Sequence, residues 1–272
     1  MIRRKTIPVA LGKLTFGGER VYIQSMLSIP STDIAGSAAQ AVALEKAGCE
    51  ILRAAIPDMA AVKLIPVIKE QVSIPLVADI HFDYRLALES LEAGVDKIRL
   101  NPGNIGDADR VKAVAIACGN RGVPIRIGVN GGSLEKHILA KYGAPTADAL
   151  VESGLYNAQL LERFDFHQIV ISLKSSNVET MVEAYRKLAA QCEYPLHLGV
   201  TEAGTERMGL IKSSIGIGSL LLDGIGDTIR VSLTADPIRE VAAARDILRA
   251  LGLEKGAPQI VSCPTCGRTR ID

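Results

Sequence analysis

An α/β fold, specifically a (β/α)8 TIM barrel, is predicted by three features of this sequence. Eight short apolar runs alternate with longer helical patterns. The 272 residues match the size of one such barrel. No Pro-, Gly- or Ser-rich linker divides the chain internally. Residues before Val21 read as a small hairpin closing one end of the barrel, with its turn at Gly17-Gly18. The eight strands are expected at 21–26, 51–55, 76–80, 97–100, 125–129, 168–173, 196–200 and 228–233. After the first, Asp33 can cap a helix that runs to about Ala47, and Gly48 closes it. After the eighth, Asp236-Pro237 place a cap and a first-turn proline before a helix over 238–251, which Gly252 stops. The longest gap, 130–166, holds helical patterns at 134–141 and 147–163 and reads as an enlarged loop inside one domain. A doubly wound open sheet is the competing architecture. It would show a glycine fingerprint after the first strand, where this chain has Gln24-Ser25-Met26-Leu27. A faint repeat, Ala47-Gly-Cys-Glu-Ile-Leu-Arg53 against Ala93-Gly-Val-Asp-Lys-Ile-Arg99, lies two βα units apart, as repeated barrel units require.

Composition narrows the function classes. At 48% hydrophobic and 22% charged residues the chain is globular and not disordered. No apolar run reaches the ~18 residues of a membrane span, and no apolar stretch of signal type follows the basic start. A formal charge of +1 argues against a nucleic-acid or membrane-surface binder. Five cysteines without a secretory signal point to a reducing cytoplasm.

The chemistry gathers at the C-terminal ends of the strands. Residues two apart in a strand share a face. Arg53, then Asp79 and His81, then Arg99 and Asn101, follow that spacing. So do Arg126, Gly128 and Asn130, then Ser172 and Lys174, then His197 and Gly199, then Arg230 and Ser232. The intervening residues, such as Leu100, Ile127 and Leu173, are apolar and would pack on the helices. Inward barrel positions are normally bulky and apolar. Here Arg53, Arg99, Arg126, Lys174 and Arg230 would crowd one mouth, which calls for an anion; guanidinium forks suit phosphate oxygens. The bland alternative pairs each cation with a carboxylate at the rim. The glycine-rich stretches Asn101-Pro-Gly-Asn-Ile-Gly106 and Asn130-Gly-Gly-Ser133 would let backbone N–H groups approach a ligand, unless they are plain turns. Glu202 follows the seventh strand and is a candidate general acid or a rim salt bridge. His81 and His197 are candidate phosphate donors, with a satisfied core histidine as the alternative.

Cys49, Cys118 and Cys192 are isolated and read as small buried residues. Cys263 and Cys266 form a C-x-x-C. That spacing fits half a zinc site, a redox dithiol or two ligands of an iron–sulfur cluster, and both metal readings need further ligands.

The chain resembles the 4-hydroxy-3-methylbut-2-en-1-yl diphosphate synthases. The matching stretches are Pro75-Leu-Val-Ala-Asp-Ile-His-Phe-Asp-Tyr84, Arg99-Leu-Asn-Pro-Gly-Asn-Ile-Gly106 and Ile125-Arg-Ile-Gly-Val-Asn130. With them go Pro195-Leu-His-Leu-Gly-Val-Thr-Glu-Ala-Gly204, Gly224-Ile-Gly-Asp-Thr-Ile-Arg-Val-Ser-Leu233 and Ser262-Cys-Pro-Thr-Cys-Gly267. The resemblance implies reductive ring opening and dehydration of 2-C-methyl-D-erythritol 2,4-cyclodiphosphate to 4-hydroxy-3-methylbut-2-enyl diphosphate in isoprenoid synthesis. It implies a [4Fe–4S] cluster, ferredoxin or flavodoxin as electron donor, and a homodimer. It assigns diphosphate binding to Arg53, His81, Arg99, Asn101, Arg126, Asn130, Lys174, Arg230 and Ser232. Asp79 and Glu202 would lie near the carbon skeleton, with Glu202 as proton donor, and Cys263 and Cys266 would be cluster ligands. Residues 1–255 would form the substrate-binding barrel. Residues 256–272 would open a linker and iron–sulfur domain whose remaining ligands lie outside this chain, so the chain alone is expected to be inactive. One departure is Leu27-Ser28-Ile29, where the family usually has Thr-Asn-Thr. Two rival readings are a pterin-binding synthase barrel and a non-catalytic diphosphate-binding barrel with a structural metal.

Overall fold

Alternation along each strand sorts this chain into an outer apolar core under the helices and an inner one, with polar residues following the inner one toward the C-terminal strand ends. The computed structural model describes residues 2–254 together with Ser262, Cys263, Thr265 and Cys266. The chain opens with a hairpin of β1 (Val9–Leu11) and β2 (Leu14–Phe16). Then come β3 (Tyr22–Met26), α1 (Ile34–Lys46), β4 (Ile51–Ala55), α2 (Leu64–Lys69), β5 (Leu76–Asp79) and α3 (Tyr84–Glu92). They are followed by β6 (Lys97–Leu100), α4 (Ala108–Arg121), β7 (Ile125–Asn130), α5 (Lys136–Tyr142) and α6 (Ala147–Glu162). The chain continues through β8 (Ile169–Lys174), α7 (Val178–Ala189), β9 (His197–Leu198), α8 (Glu206–Leu222), β10 (Thr228–Ile229) and α9 (Pro237–Ala250).

The parallel strands run in the order β8-β7-β6-β5-β4-β3-β10-β9. The ring closes where Ile171 bridges Leu196 in parallel and its N–H donates to Pro195 O at 3.0 Å. This is the expected (β/α)8 barrel. Outward residues such as Ile98, Leu100, Ile125, Ile127, Ile171 and Leu173 join the helices in the larger core. Inward Tyr22, Ile51, Val77 and Val170 pack with Val9, Leu11 and Phe16 of the hairpin in a second core. The hairpin thus plugs the N-terminal end of the barrel, leaving the other end for chemistry.

Both expected caps are present. The Asp33 carboxylate accepts from Gly36 N at 2.8 Å, and that of Asp236 accepts from Ile238 N at 2.8 Å. The hairpin turn differs from expectation. Leu11 pairs with Leu14, so the turn is Gly12-Lys13, with Gly12 at φ +56°. A two-residue connection keeps Val9, Leu11 and Phe16 on the buried face, which a turn at Gly17-Gly18 would not. The last two barrel strands are shorter than the sequence suggests, two residues each. The expected domain boundary at 255/256 lies outside the described residues.

Candidate functional site

Period-two alternation places the predicted cations inside the barrel. Arg53 on β4, Arg99 on β6 and Arg126 on β7 are each under 5% exposed. Lys174 and Arg230 are half-buried at the mouth. Arg99 and Arg126 are direct neighbours across the β6–β7 ladder, and Asp79 neighbours Arg99 across β5–β6.

Asp79 is the hub. It accepts from Arg53 Nη2, and from Arg99 Nη1 at 3.0 Å, while His81 Nε2 lies 3.4 Å away. Burial alone would raise this carboxyl. The Arg53 and Arg99 guanidiniums and the His81 hydrogen bond overcome it and hold Asp79 well below the usual carboxylate range. Asp79 is therefore ionised and acts as a counter-ion that aims two arginines. Arg99 Nη2 also donates to Gly128 O at 2.9 Å.

One carboxylate does not balance this layer. Arg230 has its own partner, Glu240 of α9, at 3.4 Å. Arg126 has none for Nε and Nη2, and the Nε atoms of Arg53, Arg99 and Arg230 are likewise buried without a partner. Burial and the neighbouring Arg53 and Arg99 push the Arg126 guanidinium down. The Lys174 ammonium is pushed down to about 7 by burial and by Arg99 and Arg53. The Asn101 amide is buried with both polar atoms unpartnered. Arg230 meets a carboxylate, but a buried one on α9 and not one at the rim, and Arg126 Nε and Nη2 meet none among the described residues.

Sequence reasoning missed two members. Lys97 is fully buried one inward step below Arg99, its Nζ unpartnered and 4.7 Å from the Phe16 ring centroid. The parity of 97, 99 and 101 carried that signal. Glu240 sits on a helix, and no strand parity could reveal it.

Other residues fall at the rim. His81 is half-exposed, and the next residue, Phe82, has φ +62°. Glu202 is exposed at φ +51° on the loop after β9. Both non-glycine residues with left-handed backbone on this face thus belong to strand-end loops, where such strain clusters at functional sites. Asn130 caps the short turn after β7, its Oδ1 accepting from Gly132 N at 3.3 Å. Ser172 Oγ donates to Ile127 O at 3.1 Å, and Ser232 is half-buried beside Arg230 in sequence. His197 is the core alternative: it is buried, with Nδ1 2.7 Å from Thr228 Oγ1. Burial and Arg126 keep it neutral. In the first glycine-rich stretch the Gly103 N–H donates to Asn157 Oδ1 at 2.7 Å, which suits the plain-turn alternative at that position.

Cys49 and Cys118 are buried, and burial pushes each thiol up to about 12, so both are inert packing. Cys263 and Cys266 are exposed. Among the described residues no group of three His, Cys, Asp or Glu side chains converges on a metal position. No helix among the described residues is long and apolar enough to cross a membrane.

Residues 6–245 match the family model described as the GcpE TIM-barrel domain. The chain is 58% identical over 271 residues to the 4-hydroxy-3-methylbut-2-en-1-yl diphosphate synthase (flavodoxin) of Geobacillus kaustophilus, covering 99% of this chain and 72% of that one. It is 54% identical to the enzyme of the same name from Bacillus mycoides, again over 99% of this chain and 74% of that one. Among solved structures, the Xanthomonas albilineans dihydropteroate synthase superposes with a TM-score of 0.66 at 15% identity, covering 93% of this chain and all of that one. The Stenotrophomonas maltophilia dihydropteroate synthase gives 0.65 at 15%, covering 93% and 99%. At that identity the likeness is one of fold alone, so the pterin-binding reading gains no support from it.

Proposed function

This chain belongs to the GcpE TIM-barrel family of 4-hydroxy-3-methylbut-2-en-1-yl diphosphate synthases, and we propose that its barrel mouth binds the cyclic diphosphate which those enzymes reduce and open. The observation that carries this reading is the imbalance inside the barrel. Arg53, Arg99, Arg126, Lys174 and Arg230 gather around two carboxylates, Asp79 paired with Arg53 and Arg99, and Glu240 paired with Arg230. A diphosphate supplies the missing negative charge and the acceptors that the orphaned guanidinium N–H groups need.

In this reading Arg99 and Arg126 hold phosphate oxygens from the barrel wall. Arg53, Lys174, Arg230, His81, Asn101, Asn130 and Ser232 complete the cradle. Asp79, ionised, orients Arg53 and Arg99 and cannot donate a proton. Glu202 is the proton donor for the departing hydroxyl, from its loop at the mouth. A [4Fe–4S] cluster, when bound, would relay the two reducing electrons from an external donor to the substrate. Cys263 and Cys266 would hold it through their sulfurs, and the described residues supply no further ligand beside them. The donor is flavodoxin, the word that the relatives' names carry, with ferredoxin as the alternative. The working protein is a cytoplasmic homodimer, with residues 1–255 as the barrel and 256–272 opening the cluster domain.

Calorimetry tests this. The chain should bind the cyclic diphosphate and inorganic pyrophosphate, with Arg99→Ala and Arg126→Met each weakening both at least about tenfold. Unchanged affinity in both variants, or no binding by the parent, overturns the assignment.

A further inference from the structure

We infer that Asn157 of α6, with Ser153 and Glu135, is a positioning clamp that fixes the two asparagine-bearing loops of the mouth relative to each other. The inference rests on the diphosphate reading above for its functional consequence, but the geometry stands by itself.

Asn157 and Ser153 lie one helical turn apart on the inner face of α6, and both are fully buried. Between them, a Cβ on Gly154 would stand 3.3 Å from Leu173 Cδ2 and 3.4 Å from Ile171 Cγ2, so the glycine lets the helix lie close to the strands. Neither polar residue can be left unsatisfied there. The Asn157 amide reaches in two directions. Its Oδ1 accepts the Gly103 N–H at 2.7 Å, from the loop after β6. Its Nδ2 donates to Glu135 Oε1 at 2.7 Å, from the loop after β7, and to Ser153 O at 2.8 Å. Ser153 Oγ donates to the other carboxylate oxygen, Oε2, at 2.6 Å. One buried amide therefore ties two loops together, and its orientation is dictated because only the oxygen can face an N–H.

The two loops carry mouth residues at their starts. Asn101 stands two residues before Gly103, with both amide atoms buried and unpartnered. Asn130 caps the turn that leads to Glu135. A glycine fits here without disturbing the clamp: a Cβ on residue 103 would stand 2.8 Å from Glu135 Oε1 and 3.2 Å from Asn157 Oδ1. The long 130–166 excursion thus has a purpose that periodicity alone did not disclose. It returns as a helix that braces the loops beside the cations.

Asn157, Ser153 and Glu135 are positioning residues, since they act through the backbone of other residues. The test compares the parent with Asn157→Leu, Glu135→Leu, Glu135→Gln and, at the opposite end of the barrel, Tyr194→Phe. The last removes the Tyr194–Glu162 bond of 2.7 Å and gauges the effect of a plain stability loss. Pyrophosphate is the calorimetric probe, and amide hydrogen exchange is read over 101–105 and 131–135. Asn157→Leu and Glu135→Leu should weaken pyrophosphate about tenfold and speed exchange at Gly103 at least about tenfold. Glu135→Gln, which can still accept from Asn157 and donate to Ser153, should stay within about twofold of the parent. Tyr194→Phe should lower Tm and change neither readout. Exchange at Gly103 no faster in Asn157→Leu than in Tyr194→Phe overturns the clamp, as does Glu135→Gln behaving like Glu135→Leu. If the parent does not bind pyrophosphate, the diphosphate reading fails, and the exchange arm still decides the clamp.

Discussion

Arg99 shows how single residues set this mouth. Its guanidinium lies over Gly128, where a Cβ would stand 2.2 Å from Nε and 2.5 Å from Nη2. The inward glycine of β7 thus makes room for an arginine. Gly128→Ala should expel Arg99 from its contacts with Asp79 and Gly128 O. Pyrophosphate affinity should fall at least about tenfold by calorimetry, with far-UV CD unchanged. Lys174 gives the mouth a pH dependence. Its lowered pKa, about 7, means that the empty protein loses this charge as pH rises through neutrality. An anion favours the charged form, so affinity for pyrophosphate should decline from pH 6 to 8.5 beyond what the ligand's own ionisation imposes. Lys174→Arg, charged throughout, should flatten that excess decline when the two pH series are compared. Stability runs the other way in the empty protein. Between about 7 and the ordinary lysine value of 10.5 the unfolded chain binds the proton that folded Lys174 does not, so this group adds stability as pH rises.

Elements were legible in proportion to how local their signals are. The caps at Asp33 and Asp236 were readable because a short polar side chain bonds an N–H two or three residues on. Asp33→Ala should accordingly cost about 1 kcal/mol in denaturant unfolding with little effect on ligand affinity. The hairpin turn was misread because Gly17-Gly18 and Gly12-Lys13 are both plausible turns in isolation. The choice depends on which register buries Phe16 in the inner core with Ile51, Val77 and Val170, residues on strands far along the chain. The strand ends at β9 and β10 were overextended for a related reason. Apolar residues such as Val200 and Val231 continue the pattern past the last regular pairing, held by packing on the helices.

At the scale of the whole molecule, a formal charge of +1 conceals a concentrated internal field. Lys97 lies beside it, buried with no hydrogen-bond partner for Nζ; burial, Arg126 and Arg53 hold its ammonium well below the usual lysine range. Lys97→Met should raise Tm by a few degrees in a thermal melt, because a similar apolar volume replaces a desolvated amine. The sequence by itself determined the barrel, the order of its elements and the inward face that bears Arg53, Asp79, Arg99 and Arg126. Strand alternation, helix caps and turn residues act over a few positions and can be read along the chain. Only the tertiary structure decided which charges are balanced and which loops are braced: Asp79 between two arginines, Glu240 on Arg230, Lys97 left without a partner, and Asn157 joined to Gly103. Those pairings span from 10 to 54 residues of chain, and they exist only because closing the barrel brings distant strands and helices within hydrogen-bonding distance.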